Sequence, residues 1–362
     1  KNIEWGILIC TILLIGIGLV ALFSATQNTE YEELKRQIMW IGISIPIVIM
    51  VIWIDYEWIA KISPIIYGIV LILLVAVLFT ESINGASSWF NLGAFSIQPS
   101  EFAKIFTVIV FALVITKIQT RGRDELSRPT RLLLALMVVA VPVLLIIKQP
   151  DYGTALAFLM ATVFMLFVAG IKKRYIIGAI LIVVIAAPLL YFFILPEHAK
   201  TRIDVFLNPD LDPRGAGYNV IQSKLAIGSG QFLGMGLLKG NQTQLGFLYP
   251  KTTDFIFSVI GEEMGFVATA GIVIVYVVLI TKAIYVAKTA KDDLGSYMAA
   301  GIAGIFLFHM VENIGMTIGL LPITGVPLPF VSYGGSSLLT NLILIALLLN
   351  ISGRRQKAIF VE

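Results

Sequence analysis

The first long apolar run of the chain occupies residues 5–25 and reads WGILICTILLIGIGLVALFSA. It contains no charged residue, and a helix needs about 20 mostly apolar residues to cross the hydrocarbon core of a bilayer. The run is too long for the core of a signal peptide, and no cleavage motif follows it. We therefore predict that it is retained as a membrane span.

The composition of the whole chain extends this conclusion. The chain is 58% hydrophobic and 13% charged, with a mean hydropathy of +0.93, whereas soluble domains carry about 25% charged residues. The sequence shows no series of short alternating strands, and the bilayer core contains no water to satisfy an open backbone, so the spanning elements must be helices. The predicted fold class is an all-α integral membrane protein.

Further apolar runs give about ten predicted transmembrane helices in total. They cover roughly residues 5–25, 38–54, 62–80, 100–118, 131–148, 153–170, 175–195, 254–281, 297–320 and 333–351. An even number places both termini on one side of the membrane. We treat residues 1–362 as a single polytopic membrane domain, because no linker separates its halves.

Basic residues indicate which side this is. They concentrate in the connections that share a side with the termini, above all in residues 117–131 and 172–174, while the short connections opposite hold only Lys35, Arg36 and Lys148. Positive charge marks the cytoplasmic side, so both termini are predicted to be cytoplasmic. One large extracytoplasmic loop, residues 195–253, then lies between helices 7 and 8. The net charge of +4 reflects this asymmetry, and no nucleic acid partner is predicted.

The large loop carries several polar side chains to the membrane boundary, namely Arg202, Arg214, Gln222, Lys224 and Lys239. Each cation alone is explained as a solvated surface charge, but several in one loop indicate an anion site, since Arg suits phosphate geometry. The loop ends at Asp254, where the next apolar run begins. That carboxylate either caps the helix or, with a pKa raised by partial burial, acts as a general base, and the two roles are compatible.

Further charged residues lie at or within the spans. Glu101 and Lys104, at i and i+3, either form a structural pair or line a polar cavity beneath Trp89. Asp151 is expected to cap the sixth span. The adjacent acids Glu262 and Glu263 are expected to face the bundle interior, supporting the site or pairing with a buried cation. The two histidines, His198 and His309, are far apart in sequence, so a histidine-rich metal site is not predicted.

Several segments match known motifs in the expected order. They are residues 85–89, Gln98–Lys104 (QPSEFAK), Gln149–Thr154 (QPDYGT), Asp212–Tyr218 (DPRGAGY), Gln222–Gly228 (QSKLAIG), Thr253–Phe257 (TDFIF), Gly261–Glu263 (GEE) and Gly325–Ser336 (GVPLPFVSYGGS). Together they resemble the SEDS (shape, elongation, division and sporulation) family of bacterial cell-wall polymerases. Thr324, where division-type members often have Lys, and the Gln222–Gly228 segment favour the elongation type.

The resemblance implies a peptidoglycan glycosyltransferase that polymerises lipid II at the outer face of the bacterial cytoplasmic membrane. Asp254 falls on the family's essential acid, and Trp89, Glu101, Lys104 and Asp151 fall on motif positions around a central cavity. Ser332, in the last matching segment, is expected to support the site. Many members carry Pro-Glu-x-His before the Thr-Asp pair, whereas this chain has residues 249–252, YPKT, which leaves Asp254 as the expected base.

The expected partners are lipid II, a class B penicillin-binding protein that crosslinks the strands, and membrane lipids. No cofactor is predicted with certainty, although a divalent cation, Mg or Mn, would share the stabilisation of the leaving pyrophosphate with the loop cations. Two other functions remain open. A lipid II flippase would use the polar residues inside the spans as a headgroup path, and a non-catalytic scaffold would only recruit the transpeptidase.

Overall fold

The computed structural model describes residues 3–80, 88–92, 95–193, 197–208, 211–212 and 215–355. The described residues form thirteen α-helices. Their bounds are α1 Trp5–Ala25, α2 Glu32–Trp53, α3 Tyr56–Ala76, α4 Pro99–Gln119, α5 Pro129–Lys148, α6 Tyr152–Val168, α7 Lys173–Phe193, α8 Glu197–Leu207, α9 Ala216–Ser229, α10 Asn241–Gln244, α11 Ile256–Thr289, α12 Asp293–Thr317 and α13 Gly335–Gly353. Each predicted span therefore coincides with a helix, and α8, α9 and α10 lie within the predicted large loop.

Eight of the described helices are long and apolar enough to cross a membrane. They are α1, α2, α3, α5, α7, α11, α12 and α13, and the apolar helix α6 is shorter. The prediction of an all-α, multi-pass membrane protein is thus confirmed at this level. Two short antiparallel strands, β1 Phe90–Leu92 and β2 Phe95–Ile97, were not predicted.

Helix α12 lies at the centre of the bundle, packed against α6 and α11. Small residues allow this close approach: a Cβ atom added at Gly301 would lie 2.7 Å from the sulfur of Met165, and one at Gly304 would lie 3.0 Å from Cα of Ala161. Without a hydrophobic driving force in lipid, such van der Waals contact between small residues holds membrane helices together.

The two ends of the described chain meet at the same end of the bundle. Glu4 pairs with Lys282 at 2.8 Å and with Arg355 at 3.2 Å, and its backbone N–H donates to the hydroxyl of Ser352 at 3.3 Å. Both cations hold the pKa of the Glu4 carboxyl below its usual value, with the hydrogen bond from Lys282 the largest cause. These contacts place both described ends of the chain at one end of the bundle.

The apolar run predicted one continuous helix here. Helix α11 instead breaks at Gly265, where φ is +72° and ψ is −170°. Loop residues 231–236 fill the break. The N–H groups of Phe266 and Val267 donate to the carbonyls of residues 231 and 232, at 2.9 and 3.2 Å, and the N–H groups of residues 235 and 236 donate to the carbonyls of Glu262 and Glu263, at 2.9 and 3.0 Å. A broken helix in a membrane protein needs such replacement partners for its backbone.

The glycines of the large loop make this insertion possible. A Cβ atom on Gly230 would lie 1.8 Å from the carbonyl oxygen of Gly261, and one on Gly234 would lie 2.2 Å from that of Glu263. The loop backbone therefore packs directly on the backbone of α11. Part of the loop predicted to face outward reaches down to the level of the helix break.

Candidate functional site

Asp254 lies two residues before the first residue of α11. The N-cap position is Phe255, which makes no side-chain capping bond, so of the two roles considered for Asp254 the structure does not show helix capping. Its side chain is half-buried. Burial raises the pKa of the Asp254 carboxyl, although a hydrogen bond from Thr253 and the positive charge of Arg202 act in the opposite direction. A carboxylate with a raised pKa can accept a proton as a general base.

The backbone around Asp254 is held by α12 and by the segment that precedes α13. The amide of Asn313 donates to the carbonyl of Asp254 at 2.9 Å and to that of Val326 at 2.8 Å. The hydroxyl of Ser332 donates to the carbonyl of Thr253 at 2.7 Å and accepts from the N–H of Leu328 at 2.8 Å. The hydroxyl of Ser332 thus joins the residues before Asp254 to the backbone that precedes α13.

A cleft of about 210 Å³ lies between α8, α9 and residues 321–323. Its lining is apolar except for two polar side chains, Arg202 and Asn219. The positive charge of Arg202 also lowers the pKa of the Asp254 carboxyl, although burial has the larger, opposite effect. The cleft offers a guanidinium over an apolar wall, which suits a ligand with an anionic group attached to a hydrocarbon.

Glu101 and Lys104 form a buried ion pair of 2.9 Å, in agreement with their spacing on α4. The pair has a third member that the sequence analysis missed, because Lys104 donates to Nε2 of His309 at 3.2 Å. The other ring nitrogen of His309 lies 3.1 Å from the carbonyl of Pro327. Since a carbonyl only accepts, Nδ1 carries the proton and Nε2 is the acceptor. Glu101 also accepts from the hydroxyl of Thr340 at 2.9 Å.

This trio crosses the bundle, joining α4 to α12 and to the Pro-rich segment before α13. All three charged or titratable side chains are at most 2% exposed. Each is satisfied by the others and by neighbouring polar groups, as buried charges require. The contacts of Glu101 and Lys104 are those of the structural-pair interpretation.

Asp151 caps α6, as predicted, by accepting from the N–H of Thr154 at 3.1 Å. It also accepts from the amide of Gln98 at 3.0 Å, and burial raises the pKa of its carboxyl. Trp89 is half-buried and follows Ser88, whose hydroxyl donates to the carbonyl of Gln149 at 3.3 Å. The two motifs around residues 89 and 151 are thus neighbours in the structure.

Glu262 and Glu263 are buried, as expected for acids that face the bundle interior, and their hydrogen-bond partners lie in the large loop. Glu262 accepts from the N–H groups of Gln242 and Thr243 at 2.7 and 3.0 Å and from the Thr243 hydroxyl at 2.6 Å. Glu263 accepts from the side-chain amide of Gln244 at 2.9 Å. The two acids fix helix α10 to α11, and the half-buried Lys251 interacts with Glu263 through its charge.

The remaining loop residues are dispersed. Lys224 is exposed and its side chain lies over Gly319, whose added Cβ atom would be 2.5 Å from Nζ. Lys239 is exposed beside Gly236, and Gln222 is half-buried on α9. Arg214 lies outside the described residues. Of the predicted anion-binding residues that the structure describes, Arg202 is the one whose charge acts on the pKa of the Asp254 carboxyl.

Close to Asp254 lie an acid that the sequence analysis missed and a glycine of the last matching segment. Glu312, buried on α12, accepts from the hydroxyl of Thr324 at 2.7 Å, and Gly325 is so close to the site that an added Cβ atom would lie 3.5 Å from Oδ2 of Asp254. The described residues contain no group of three or more His, Cys, Asp or Glu that could hold a metal ion. The divalent cation allowed by the resemblance thus has no dedicated ligand set there.

Comparison with known proteins gives concordant matches. The model of the cell cycle protein family FTSW_RODA_SPOVE matches residues 4–357. The chain is 38% identical to the peptidoglycan glycosyltransferase MrdB of Escherichia coli (strain K12), over 92% of this chain and 88% of MrdB. It is also 38% identical to the probable peptidoglycan glycosyltransferase FtsW of Trichlorobacter lovleyi, over 96% and 92% of the two chains.

A solved structure is similar over almost the entire length. It is a chain from a peptidoglycan synthase complex described as coordinating polymerization and crosslinking, with a TM-score of 0.84, 26% sequence identity and 99% coverage of both chains. The fold described above is therefore shared with a protein of known structure, including the segments that surround Asp254.

Proposed function

The chain belongs to the cell cycle protein family FTSW_RODA_SPOVE, and we propose that it is a peptidoglycan glycosyltransferase with Asp254 as its general base. The observation that carries the proposal is the half-buried carboxylate of Asp254, whose pKa is raised by burial. The charge of Arg202 acts on this carboxylate, and Arg202 lines an apolar cleft. The relatives named as peptidoglycan glycosyltransferases support the class of reaction.

The proposed substrate is lipid II, a disaccharide-pentapeptide linked to undecaprenyl pyrophosphate. Asp254 removes the proton from a sugar hydroxyl of the acceptor. The hydroxyl oxygen forms a bond to the anomeric carbon of the donor, while the bond from that carbon to the phosphate oxygen breaks. Undecaprenyl pyrophosphate leaves with the electron pair, and a direct displacement inverts the anomeric centre.

Arg202 is the residue we assign to the leaving pyrophosphate. Charge develops on the phosphate oxygen as the bond breaks, and a guanidinium already in place stabilises it in the transition state. The apolar lining of the same cleft, from Val205, Phe206, Val220 and residues 321–323, suits the first isoprene units. The cleft therefore takes the donor end of the reaction, and the acceptor approaches Asp254 from the other side.

The proposed topology is ten spans in the bacterial cytoplasmic membrane with both termini in the cytoplasm. The contact between the two chain ends and the cationic connections support it. Asp254 then lies at the outer face, where lipid-linked precursors are joined. We further propose that a class B penicillin-binding protein is the crosslinking partner during cell elongation, supported by the similarity to a chain of a synthase complex that combines polymerization with crosslinking.

The test is polymerisation of lipid II by the purified chain with its partner, the partner's transpeptidase being blocked. We expect Asp254→Asn to abolish glycan strands, and Arg202→Ala to lower the rate at least tenfold, about 1.4 kcal/mol of transition-state stabilisation. Asp293→Asn, an exposed aspartate at the other end of the bundle, is the matched control and should polymerise at the wild-type rate.

Wild-type rates for Asp254→Asn would refute the role of Asp254 as base. A folded wild-type complex that makes no strands, when a control polymerase does, would overturn the enzymatic proposal and direct attention to lipid II flipping. Loss of activity in Asp293→Asn as well would indicate a general effect of charge removal on the protein.

A further inference from the structure

Three cations and three apolar side chains surround a second pocket, at the end of α4 opposite to the buried Glu101–Lys104 pair. It lies between the last turns of α4 and the first turns of α5 and has a volume of about 460 Å³. Its lining consists of Val114, Ile118, Leu134, Lys117, Arg121 and Arg131, together with Thr120. Lys117 follows Lys104 by thirteen residues on one helix, which places the pocket roughly 20 Å along the helix axis from that lysine. The pocket is thus remote from Asp254 and its cleft.

The positive charges at this pocket are only partly balanced by acids. Neighbouring cations pair with acids: Arg123 with Asp293 at 3.7 Å, Arg128 with Glu125 at 2.8 Å and Lys172 with Asp124 at 3.5 Å. Arg131 also pairs with Glu125. Within the described part of the chain, Lys117 and Arg121 have no acidic partner. Two exposed, uncompensated cations therefore face the same pocket.

The walls of the pocket show what kind of anion it suits. Leu134 is 68% exposed and Leu133, beside it, is 63% exposed, so this side of α5 faces the hydrocarbon of the bilayer. Val114 and Ile118 are half-buried on α4. A soluble anion would use only the cations, whereas a lipid uses the apolar wall as well. Cationic pockets between helices at the membrane boundary fit acidic lipid headgroups for this reason.

We propose that this pocket binds an anionic phospholipid, with its phosphate between Lys117 and Arg121 and the upper part of an acyl chain against Leu134. In the topology proposed above, the lipid belongs to the cytoplasmic leaflet. Lys117 supplies a compact charge and Arg121 a planar fork of donors, which together match the oxygens of a phosphodiester.

Native mass spectrometry of the full chain in a nonionic detergent tests the proposal, because the micelle itself then has no surface charge. Phosphatidylglycerol and phosphatidylcholine are titrated separately. We expect the wild type to prefer phosphatidylglycerol, and Lys117→Gln/Arg121→Gln to bind it ~30-fold more weakly, from about tenfold per 1.4 kcal/mol and about 1 kcal/mol for each cation. Arg123→Gln/Lys172→Gln removes the same charge at the same membrane face outside the pocket, and should change the affinity by less than ~3-fold.

Equal losses in the two double variants would overturn the proposal, because the general positive charge of this face would then explain binding. Equal affinity of the wild type for the two lipids would also overturn it. Displacement of phosphatidylglycerol by inorganic phosphate at millimolar concentration would show a soluble-anion site instead of a lipid site. Binding is measured without lipid II, so these outcomes are independent of the glycosyl transfer proposed above.

Discussion

The glycine at the break in α11 provides a sharp test of how the large loop and the helix are joined. In Gly265→Ala the new Cβ atom would lie 2.3 Å from the backbone nitrogen of Gly234. The backbone there also has a φ of +72° and a ψ of −170°, a combination that is essentially restricted to glycine and costs other residues about 1–3 kcal/mol. The collision is with backbone, so no side-chain rotation relieves it.

The size of the effect follows from the bonds that the collision disturbs. Four backbone hydrogen bonds join residues 231–236 to the two sides of the break. At roughly 0.5–1.5 kcal/mol each, losing two of them costs about 1–3 kcal/mol. Together with the backbone strain, we expect Gly265→Ala to destabilise the protein by roughly 2–6 kcal/mol, which corresponds to a fall in Tm on the order of 5 °C or more.

The assay is thermal inactivation of detergent-solubilised protein, followed by the fraction that remains monodisperse on size exclusion. Gly271→Ala is the matched control, because it lies on the same helix with no atom within 4 Å of the new Cβ and should be neutral or stabilising by up to about 1 kcal/mol. If the two variants unfold at the same temperature, residues 231–236 do not occupy the break and the account of the loop is wrong.

Two further predictions concern the buried charges. Lys104→Met leaves Glu101 without its 2.9 Å partner, so we expect the free energy of unfolding to fall by about 3–5 kcal/mol. The control Lys117→Gln, at an exposed position, should lower it by less than ~0.5 kcal/mol. Denaturant unfolding measures the difference, and equal losses would contradict the buried contacts among Glu101, Lys104 and His309. The raised pKa of Asp254 means that the polymerisation rate should fall, as the pH is lowered, at a higher pH than an ordinary aspartate would give. The folded state also favours protonated Asp254, and this contribution to stability is present at low pH and is lost as the pH rises through the raised pKa. We therefore expect Asp254→Asn to have the wild-type Tm in acid and a Tm equal to or above that of the wild type at neutral pH. A lower Tm of the variant at neutral pH would contradict this.

The features that sequence patterns predicted are those encoded within one element. Apolar runs of about 20 residues determine the helices, and i, i+3 spacing brought Glu101 and Lys104 together. Asp151 was correctly predicted as a cap because its partner is the N–H three residues later. In each case the interacting groups are neighbours in the chain, so periodicity alone places them.

The features that sequence patterns missed depend on residues distant in the chain. His309 meets Lys104 from 205 residues away, and its single position in an apolar run gives no periodic signal. The partners of Glu262 are backbone N–H groups of residues 242 and 243, and backbone groups leave no trace in the side-chain pattern. The glycines from 228 to 240 were a signal of close backbone approach, although the sequence does not specify that α11 is the surface approached.

The way in which Asp254 is held explains why its carboxylate can serve chemistry. Asn313 binds the carbonyl of Asp254, Ser332 binds that of Thr253, and the N–H of Tyr333 binds that of Thr252 at 2.9 Å. Three neighbouring carbonyls thus position the segment through the main chain. The carboxylate interacts with the hydroxyl of Thr253 and the charge of Arg202, and none of these main-chain bonds involves it.

Because the main chain holds this segment, substitutions of the Asp254 side chain have a predictable effect on stability. A residue held by its side chain cannot be changed without loss of structure, whereas a residue held by its backbone can exchange a carboxylate for an amide of the same shape. The burial that raises the pKa of Asp254 opposes folding with the charged form, since a buried charge is costly without a full set of partners. The segment therefore retains the aspartate at a local stability cost, and this cost supports the proposed role of the carboxylate in proton transfer.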